Sequence, residues 1–257
     1  MKYMGSKARF AKELIPIVTK NLKPNQWYVE PFVGGANMID KVIHPLRMGN
    51  DFNEYLIALY KALQDGWKPP EFIERETYNT YRTKFNNHTY TDDEKFLVGY
   101  FGFAGSYGGR FYEGGYAGKL FKDGIEVRNY PKEAYNNIKK QLPFIKNVVF
   151  NDGSYDELDI PPNSIIYCDP PYENTKQYKD SFNHSKFWQW CRIKVKEGNE
   201  VYISEYNAPD DFICIWEKET KSSLSANGKS GGSKKSTEKL FVHKSQHKVD
   251  DFSDLLF

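Results

Sequence analysis

The apolar run Ile165-Ile166-Tyr167-Cys168 stops against Asp169-Pro170-Pro171-Tyr172. A short apolar run with β-forming residues predicts a buried strand. Proline lacks an N–H and fixes φ, so two of them in succession forbid the strand to continue. Any fold of this chain must therefore end a strand here in a rigid, extended turn. That turn displays one carboxylate, one carbonyl and one aromatic ring at a sheet edge. The two oxygens accept hydrogen bonds and the ring offers a stacking face, which suits a planar, polar ligand. The exocyclic amino group of a nucleobase meets that description.

At 257 residues the chain has room for one large α/β domain, or for a catalytic domain with an inserted module. Thirty-six basic against 34 acidic side chains leave a net charge of +2, so any nucleic-acid surface must be local. Aromatic residues make up 16%, and core packing accounts for most of them. Cys168, Cys191 and Cys214 are odd in number and lack metal-ligand spacing, which excludes a disulfide framework or zinc site and fits a reducing compartment. The first residues hold no apolar signal core and no stretch approaches membrane-spanning length, so a cytoplasmic protein is expected.

Ser6 is placed to cap a helix carrying Phe10, Leu14, Ile17 and Val18 at helical spacing, with Pro16 inside it. Residues 27–33 read as a buried strand, Gly34-Gly35-Ala36-Asn37 as the turn after it, and Met38 to Ile43 as a short helix. Strand, glycine turn and helix form the first half of a nucleotide-binding βαβ unit, although two glycines alone more often make an ordinary turn. A second strand over residues 46–50 leads to Asp51, where such folds bind ribose hydroxyls. Asp51 or Asn53 also suits the N-cap of a helix from Glu54 to Leu63.

From residue 65 to about 140 the pattern changes. Lys68-Pro69-Pro70 marks a boundary, and Glu71–Phe85 and Asp92–Phe101 read as helices. The stretch Gly105 to Lys119 is rich in glycine and aromatics, which excludes a stable helix and predicts a hairpin or ordered loop. Arg110 on such a tip can read guanine, and tyrosines can touch the backbone or wedge between bases; a solvated loop is the plainer reading. A helix over 130–142 and a strand Asn147–Phe150 ending at Asn151-Asp152 return the chain to the sheet. Beyond Tyr172, residues 174–185 are polar, 186–196 are amphipathic, and strands are expected at 200–206, 212–216 and 239–243. Alternating strands and helices predict an α/β fold, a mostly parallel twisted sheet with helices on both faces. Between Lys218 and Lys248 eight lysines face two glutamates, and a flexible centre carries Lys229, Lys234 and Lys235, a reasonable phosphate contact.

Three features fall at strand ends: the glycine turn, Asp51 and the Asp-Pro-Pro-Tyr segment. Ligands of open α/β sheets lie at such carboxyl ends. A nicotinamide-dependent oxidoreductase shares the first two but leaves the third unexplained. A Gly-Lys-Ser/Thr phosphate loop is absent, because Gly228-Lys229-Ser230 lacks the upstream glycine, strand and helix. Cys168 invites comparison with thiolate chemistry on pyrimidine carbon, yet a packing cysteine inside a strand is the better reading.

In this motif order the chain closely resembles the Dam-like (alpha-group) DNA adenine-N6 methyltransferases over essentially its full length. Tyr3-Met4-Gly5-Ser6-Lys7, Glu30-Pro31-Phe32-Val33-Gly34-Gly35, Asn50-Asp51-Phe52-Asn53, Asn151-Asp152, Asp169 to Tyr172 and Ser204-Glu205-Tyr206-Asn207 each match a family motif. Ala36 and Asn37 stand where family members often carry a third glycine or a serine. The resemblance implies a Rossmann-like S-adenosylmethionine-dependent fold with its catalytic domain in residues 1–63 and 141–257. A helical and hairpin target-recognition domain is inserted at 64–140. It implies methyl transfer from S-adenosylmethionine to adenine N6 in double-stranded DNA by base flipping and direct transfer, with Asp169, Pro170 and Tyr172 catalytic and no metal. Tyr3, Lys7, Glu30, Phe32, Gly34, Gly35, Asp51, Asp152 and Asp169 would hold the cofactor. Tyr107, Arg110, Tyr112, Tyr116, Lys119, Lys229, Lys234 and Lys235 would meet DNA. A monomer is expected, and a partner restriction endonuclease stays open. The alternatives are the same fold acting on cytosine N4 or RNA adenine, and a DNA-binding relative without catalysis.

Overall fold

The computed structural model describes residues 1–172, 182–221 and 235–247, and its chain divides into two units, Met1–Asp159 and Ile160–Phe257. The polar stretch expected at 174–185 and the lysine-bearing stretch around 225–236 fall mainly outside the described residues.

In the first unit Ser6 does act as a cap, accepting the Ala8 N–H at 3.2 Å, but of a single 3₁₀ turn, Lys7–Arg9. The helix α1 (Ala11–Val18) starts later than expected and contains Pro16. Pro16 and Lys12 are both exposed, so the Lys12 carbonyl that a proline cannot bond lies on the solvent side of the helix. Strand β1 (Tyr28–Glu30) is wholly buried and shorter than its apolar run, because Pro31 ends it. Parallel to it lies β2 (Arg47–Asp51), with Tyr28 opposite Arg47 and Glu30 opposite Gly49. Between them the expected helix at 38–43 is only a 3₁₀ turn, Ile39–Lys41. Helix α2 (Glu54–Gln64) is capped by Asn53, whose Oδ1 accepts the Leu56 N–H at 3.0 Å, so the cap belongs to Asn53 and not to Asp51.

Helices α3 (Arg75–Asn86) and α4 (Lys95–Ala104) follow, the second preceded by a capping box between Thr91 and Glu94. Gly99 sets how α4 meets α2: a Cβ there would lie 2.2 Å from the Tyr55 carbonyl oxygen. The glycine-rich stretch is an ordered loop closed by a single bridge between Ser106 and Tyr116. The hairpin comes after it, formed by β3 (Lys119–Lys122) and β4 (Ile125–Asn129) around Asp123 and Gly124. Both turn residues have positive φ, 50° and 78°, the backbone that an Asp-Gly pair supplies in a two-residue hairpin. Helix α5 (Tyr130–Ile145) is capped by Asn129 and leads to β5 (Val149–Asp152), which pairs parallel with β2 and sets Asp152 opposite Asp51. Tyr60 of α2 stacks on Phe150 of β5 with ring centroids 4.7 Å apart.

In the second unit β6 (Ile165–Cys168) is buried along its whole length and ends at Asp169, as two prolines require. Asn183 caps α6 (His184–Lys196), which leads into β7 (Glu200–Glu205), parallel to β6. Strands β8 (Phe212–Lys221) and β9 (Lys235–His243) are longer than their apolar cores suggest. Each adds antiparallel, β9 pairing with both β7 and β8. Parallel strands joined through helices in both units give the mostly parallel α/β fold that the alternation of signals predicts. Among the described residues no helix is long and apolar enough to cross a membrane.

The α2–α4 contact is testable. Alanine is worth about 1 kcal/mol more than glycine inside a helix, whereas overpacking costs about 1–3 kcal/mol. Because the obstacle at Gly99 is backbone, Gly99→Ala should be net destabilising, by up to about 2 kcal/mol. A lowered urea midpoint at unchanged slope is the expected result.

Candidate functional site

The first unit gathers most of the residues expected to hold a cofactor. After β1 the chain turns through Val33–Asn37, and nearly every polar backbone group of that turn has a named partner. The Val33 N–H donates to Asn50 O at 2.7 Å and the Ala36 N–H to Val33 O at 2.9 Å. Gly34 donates to Asp51 Oδ2 at 2.9 Å, and its carbonyl accepts from the Tyr60 hydroxyl at 2.6 Å. Asp51 Oδ1 accepts the Asn53 N–H at 3.0 Å, so one carboxylate joins the glycine turn to the entry of α2. Beside it Asn50 donates to Pro31 O at 3.1 Å and to Gly153 O at 3.0 Å, fixing the loops that follow β1 and β5.

Glycine is required here by close approach. Gly34 has φ +45°, and a Cβ on it would stand 2.9 Å from the Tyr3 ring; one on Gly35 would stand 2.6 Å from Tyr3 Cβ and 2.5 Å from Asn37 Nδ2. Tyr3 therefore lies on the turn, with its ring stacked on Phe103 at 5.6 Å. Ala36 also has positive φ, 53°, a conformation that glycine would adopt without strain. That explains why the related motif often carries glycine at this point.

Gln141 is a residue the sequence reading missed. It is buried on α5, and its Nε2 reaches Gly35 O at 3.0 Å, Ala36 O at 2.9 Å and Asp40 Oδ2 at 3.0 Å. The available signal was an amide on the apolar stripe Ile138, Gln141, Ile145, where a buried polar group must find partners. Lys7 is buried on its 3₁₀ turn. Glu30 is buried and accepts from the Tyr28 hydroxyl at 2.8 Å. Phe32 packs on Tyr155 at 5.1 Å. Asp152 is exposed and pairs with Lys61 at 3.1 Å. Phe52, also missed, is 83% exposed directly after Asp51 and offers a flat apolar face beside the carboxylate.

These residues fit a nucleoside cofactor with a charged amino-acid tail. Two of the roughly four lone-pair directions of the Asp51 carboxylate are taken by backbone N–H groups, which leaves capacity for hydroxyl donors. Burial raises the Asp51 pKa above its ordinary value, while the Asn53 and Gly34 N–H groups pull it down.

The second unit carries the turn after β6. Asp169 is partly buried, Pro170 buried and Tyr172 partly buried. The Tyr172 hydroxyl donates to Glu238 Oε2 at 2.9 Å, and its ring meets Tyr206 edge-on at 4.5 Å and 80°. Burial, then the Asp169 and Glu238 carboxylates, push this phenol well above its usual range, so it keeps its proton and donates. Cys168 is fully buried next door, in keeping with a packing role. On β7 and β6, Ser204 and Tyr167 share a hydroxyl contact of 2.8 Å.

The residues expected at DNA divide by exposure. Tyr107, Arg110 and Lys119 are exposed. Tyr112 is not available for contact: it is 4% exposed, its hydroxyl donates to Val98 O at 3.0 Å, and it packs beside Phe85, supporting the loop from below. Tyr116 is partly buried, with its hydroxyl donating to Ile73 O at 2.7 Å and the Arg75 guanidinium over its ring. Lys229 and Lys234 lie outside the described residues, and of Lys235 only the strand position is described. The sequence reading did not single out the β3–β4 hairpin, which exposes Leu120, Phe121, Ile125 and Val127. Its signal was Asp123-Gly124 between two apolar pairs.

A glycine turn braced by an acidic strand end, with Asp-Pro-Pro-Tyr closing a buried strand elsewhere in the chain, is the motif set on which the chain resembles amino-group methyltransferases. Residues 3–212 match the D12 class N6 adenine-specific DNA methyltransferase family, and the chain belongs to that family. It is an S-adenosylmethionine-dependent enzyme of DNA adenine methylation. The Retron Ec67 DNA adenine methylase of Escherichia coli is 26% identical over 227 residues, covering 79% of this chain and 75% of the relative. Among solved structures, the crystal structure of SMU.472 complexed with SAH aligns with 94% of this chain at 12% identity and a TM-score of 0.37. This chain spans about half, 53%, of that one.

Gln141→Leu keeps the volume but leaves the Gly35 and Ala36 carbonyls without their side-chain donor. The Gly35 carbonyl keeps the Met1 ammonium and the Ala36 carbonyl keeps the Asp40 N–H, so a loss of about 0.5–1.5 kcal/mol for each hydrogen bond removed is expected. Faster amide exchange in residues 33–37 than in β6 is the local signature to measure.

Proposed function

We propose that this chain methylates N6 of an adenine flipped out of duplex DNA, by direct transfer, with Asp169, Pro170 and Tyr172 acting on the base. The observation that carries the reading is the turn after β6, which holds a carboxylate, a carbonyl and a restrained aromatic ring within four residues. When bound, S-adenosylmethionine supplies an electrophilic methyl group on a sulfonium sulfur. The chain's task is to make a poor nucleophile reactive. The adenine amino lone pair is delocalised into the ring. Accepting one amino hydrogen at the Asp169 carboxylate and the other at the Pro170 carbonyl favours a pyramidal nitrogen and stabilises its developing positive charge. Tyr172 stacks on the extruded base and recovers part of the few kcal/mol that unpairing and unstacking cost.

On the cofactor side, Asp51 would accept the ribose hydroxyls, Phe52 and Phe32 would offer apolar faces to the adenine, and Asp152 would serve that end. Tyr3, Gly34 and Gly35 shape the floor under the methionine part, with Lys7 and Glu30 meeting its charged groups. Residues 64–140 serve as the target-recognition segment, and its hairpin is the part we place against DNA. Leu120, Phe121, Ile125 and Val127 are suited to wedge or cover bases, with Lys119 and Lys122 beside them for phosphates. Lys119 is paired with Glu126 at 3.0 Å on the surface, and an exposed pair of that kind is worth at most about 1 kcal/mol, so phosphate can displace it. Tyr107 and Arg110 extend the same surface. Tyr112 and Tyr116 support it from beneath.

Sequencing DNA from cells expressing this chain, with detection of modified bases, should show N6-methyladenine within one short recurring sequence. N4-methylcytosine instead, or methylation confined to RNA, would overturn the reading. Asp169→Ala should remove the signal while leaving the protein folded by circular dichroism.

A pH dependence follows from Asp51. Its folded-state pKa is raised, so the folded chain holds this proton to higher pH than the unfolded chain does. Burying the charged form therefore costs stability at neutral pH, and the cost disappears as pH falls through the raised value. Ribose hydroxyls need the charged acceptor. Cofactor affinity should accordingly weaken as pH falls towards that value, and Asp51→Asn should bind at least about tenfold more weakly with a flatter profile.

A further inference from the structure

Tyr172 is held at its far end as well as by its backbone. Its hydroxyl lies 2.9 Å from Oε2 of Glu238, a carboxylate only 7% exposed on β9. The ladder between β7 and β9 sets Ser204 opposite Leu240 and Glu205 opposite Lys239, so Glu238 falls at the end of that ladder, beside Tyr206. Tyr206 in turn meets the Tyr172 ring edge-on. The ring is thus restrained by two prolines before it, a ring edge at its side and an ionisable acceptor at its tip. Burying a glutamate is unfavourable unless a donor repays its lost hydration. Along β9 the alternation Glu238, Leu240, Val242 puts this carboxylate in a row whose other members are aliphatic and buried.

We propose that Glu238 is a positioning residue for the methyl-transfer reaction: it accepts the Tyr172 hydroxyl and fixes the plane of the ring on which the flipped adenine stacks. The inference rests on the reading of Tyr172 given above. It also alters what the hydroxyl is for. A stacking ring needs only its face, so Tyr172→Phe alone would be harmless if the tip were free. With Glu238 behind it, losing the hydroxyl removes one donor from a buried carboxylate and frees the ring to tilt.

The test is a double-mutant cycle on the full chain, measuring methyl transfer to duplex DNA carrying the mapped target together with S-adenosylmethionine binding by calorimetry. Tyr172→Phe and Glu238→Leu should each lower kcat/KM for DNA roughly ten- to a hundredfold, the range that a charge-assisted hydrogen bond spans. Cofactor affinity should change less than about threefold, since the role assigned to Glu238 is to place the ring that meets the base. The double variant should be no worse than the poorer single one, and Glu238→Gln, which keeps a carbonyl acceptor, should recover most of the rate. Additive losses, or a Glu238→Leu protein with wild-type kcat/KM, overturn the assignment. Equal loss of cofactor affinity and DNA turnover in Glu238→Leu would also overturn it, as the mark of general damage. If Glu238→Leu does not fold, the comparison of Glu238→Gln with Tyr172→Phe decides: harm from both changes, or from neither, counts against the proposal. Tyr172→Ala separates the two levels of argument. Full turnover in that variant sinks the stacking role itself, whereas its inactivity beside an unaffected Glu238→Leu sinks only the part played by Glu238.

Discussion

The Asp51 carboxylate is the interaction on which the first unit's site depends. One oxygen takes the Gly34 N–H and the other the Asn53 N–H, so a turn after β1 and the cap of α2 are tied to the end of β2. The tie works because β1 and β2 are parallel neighbours whose carboxyl ends fall side by side. Asn50 adds a second brace on the next residue, and the carbonyls of the turn are claimed by Tyr60 from α2 and Gln141 from α5. A five-residue turn is therefore gripped from three elements. Preorganisation of this sort matters more to a cofactor site than any single contact, because a turn already ordered loses little freedom on binding.

The second unit solves a similar problem with different means. Its turn contains prolines, which offer no N–H to anchor, so order comes from the fixed φ angles and from side chains. Tyr167 with Ser204 ties β6 to β7, and Tyr172 with Glu238 ties the turn to β9. Hydroxyl groups thus do for this loop what backbone amides do for the glycine turn.

Much of this was legible in the residues themselves. Parallel strands follow from apolar runs separated by helical spacing, and β6 ends where Pro170 must end it. Strand-end residues such as Asp51 and Asp169 are visible because acidic side chains rarely follow buried strands without a task. Other features depend on tertiary distance. Nothing local to Gln141 says that its amide meets Gly35, and nothing local to Glu238 names Tyr172, 66 residues away. Tyr112 shows the opposite failure: a tyrosine among glycines looks exposed, yet glycine's lack of a side chain is what lets the loop close over that ring. Gly102 is an example, since a Cβ there would stand 2.4 Å from Phe111 and 3.0 Å from Tyr112. The hairpin was missed because the glycine-rich loop before it drew attention from a plain Asp-Gly turn.

The loop before that hairpin closes on a tightly fitted aromatic layer. Phe85, Phe111 and Tyr112 pack on one another, and Tyr55 of α2 stacks on Phe111. The layer resists substitution, since glycines such as Gly99 leave it no slack. The outward side chains of β3 and β4 carry no such obligation, and changes at exposed positions usually alter stability by no more than about 0.5 kcal/mol. Selection can therefore rewrite the hairpin's sequence freely while the packed layer stays constant. With the hairpin placed against DNA as proposed, variation in a lineage under pressure to change which DNA it marks should accumulate at residues 119–129 long before it reaches Asp51 or Gly99.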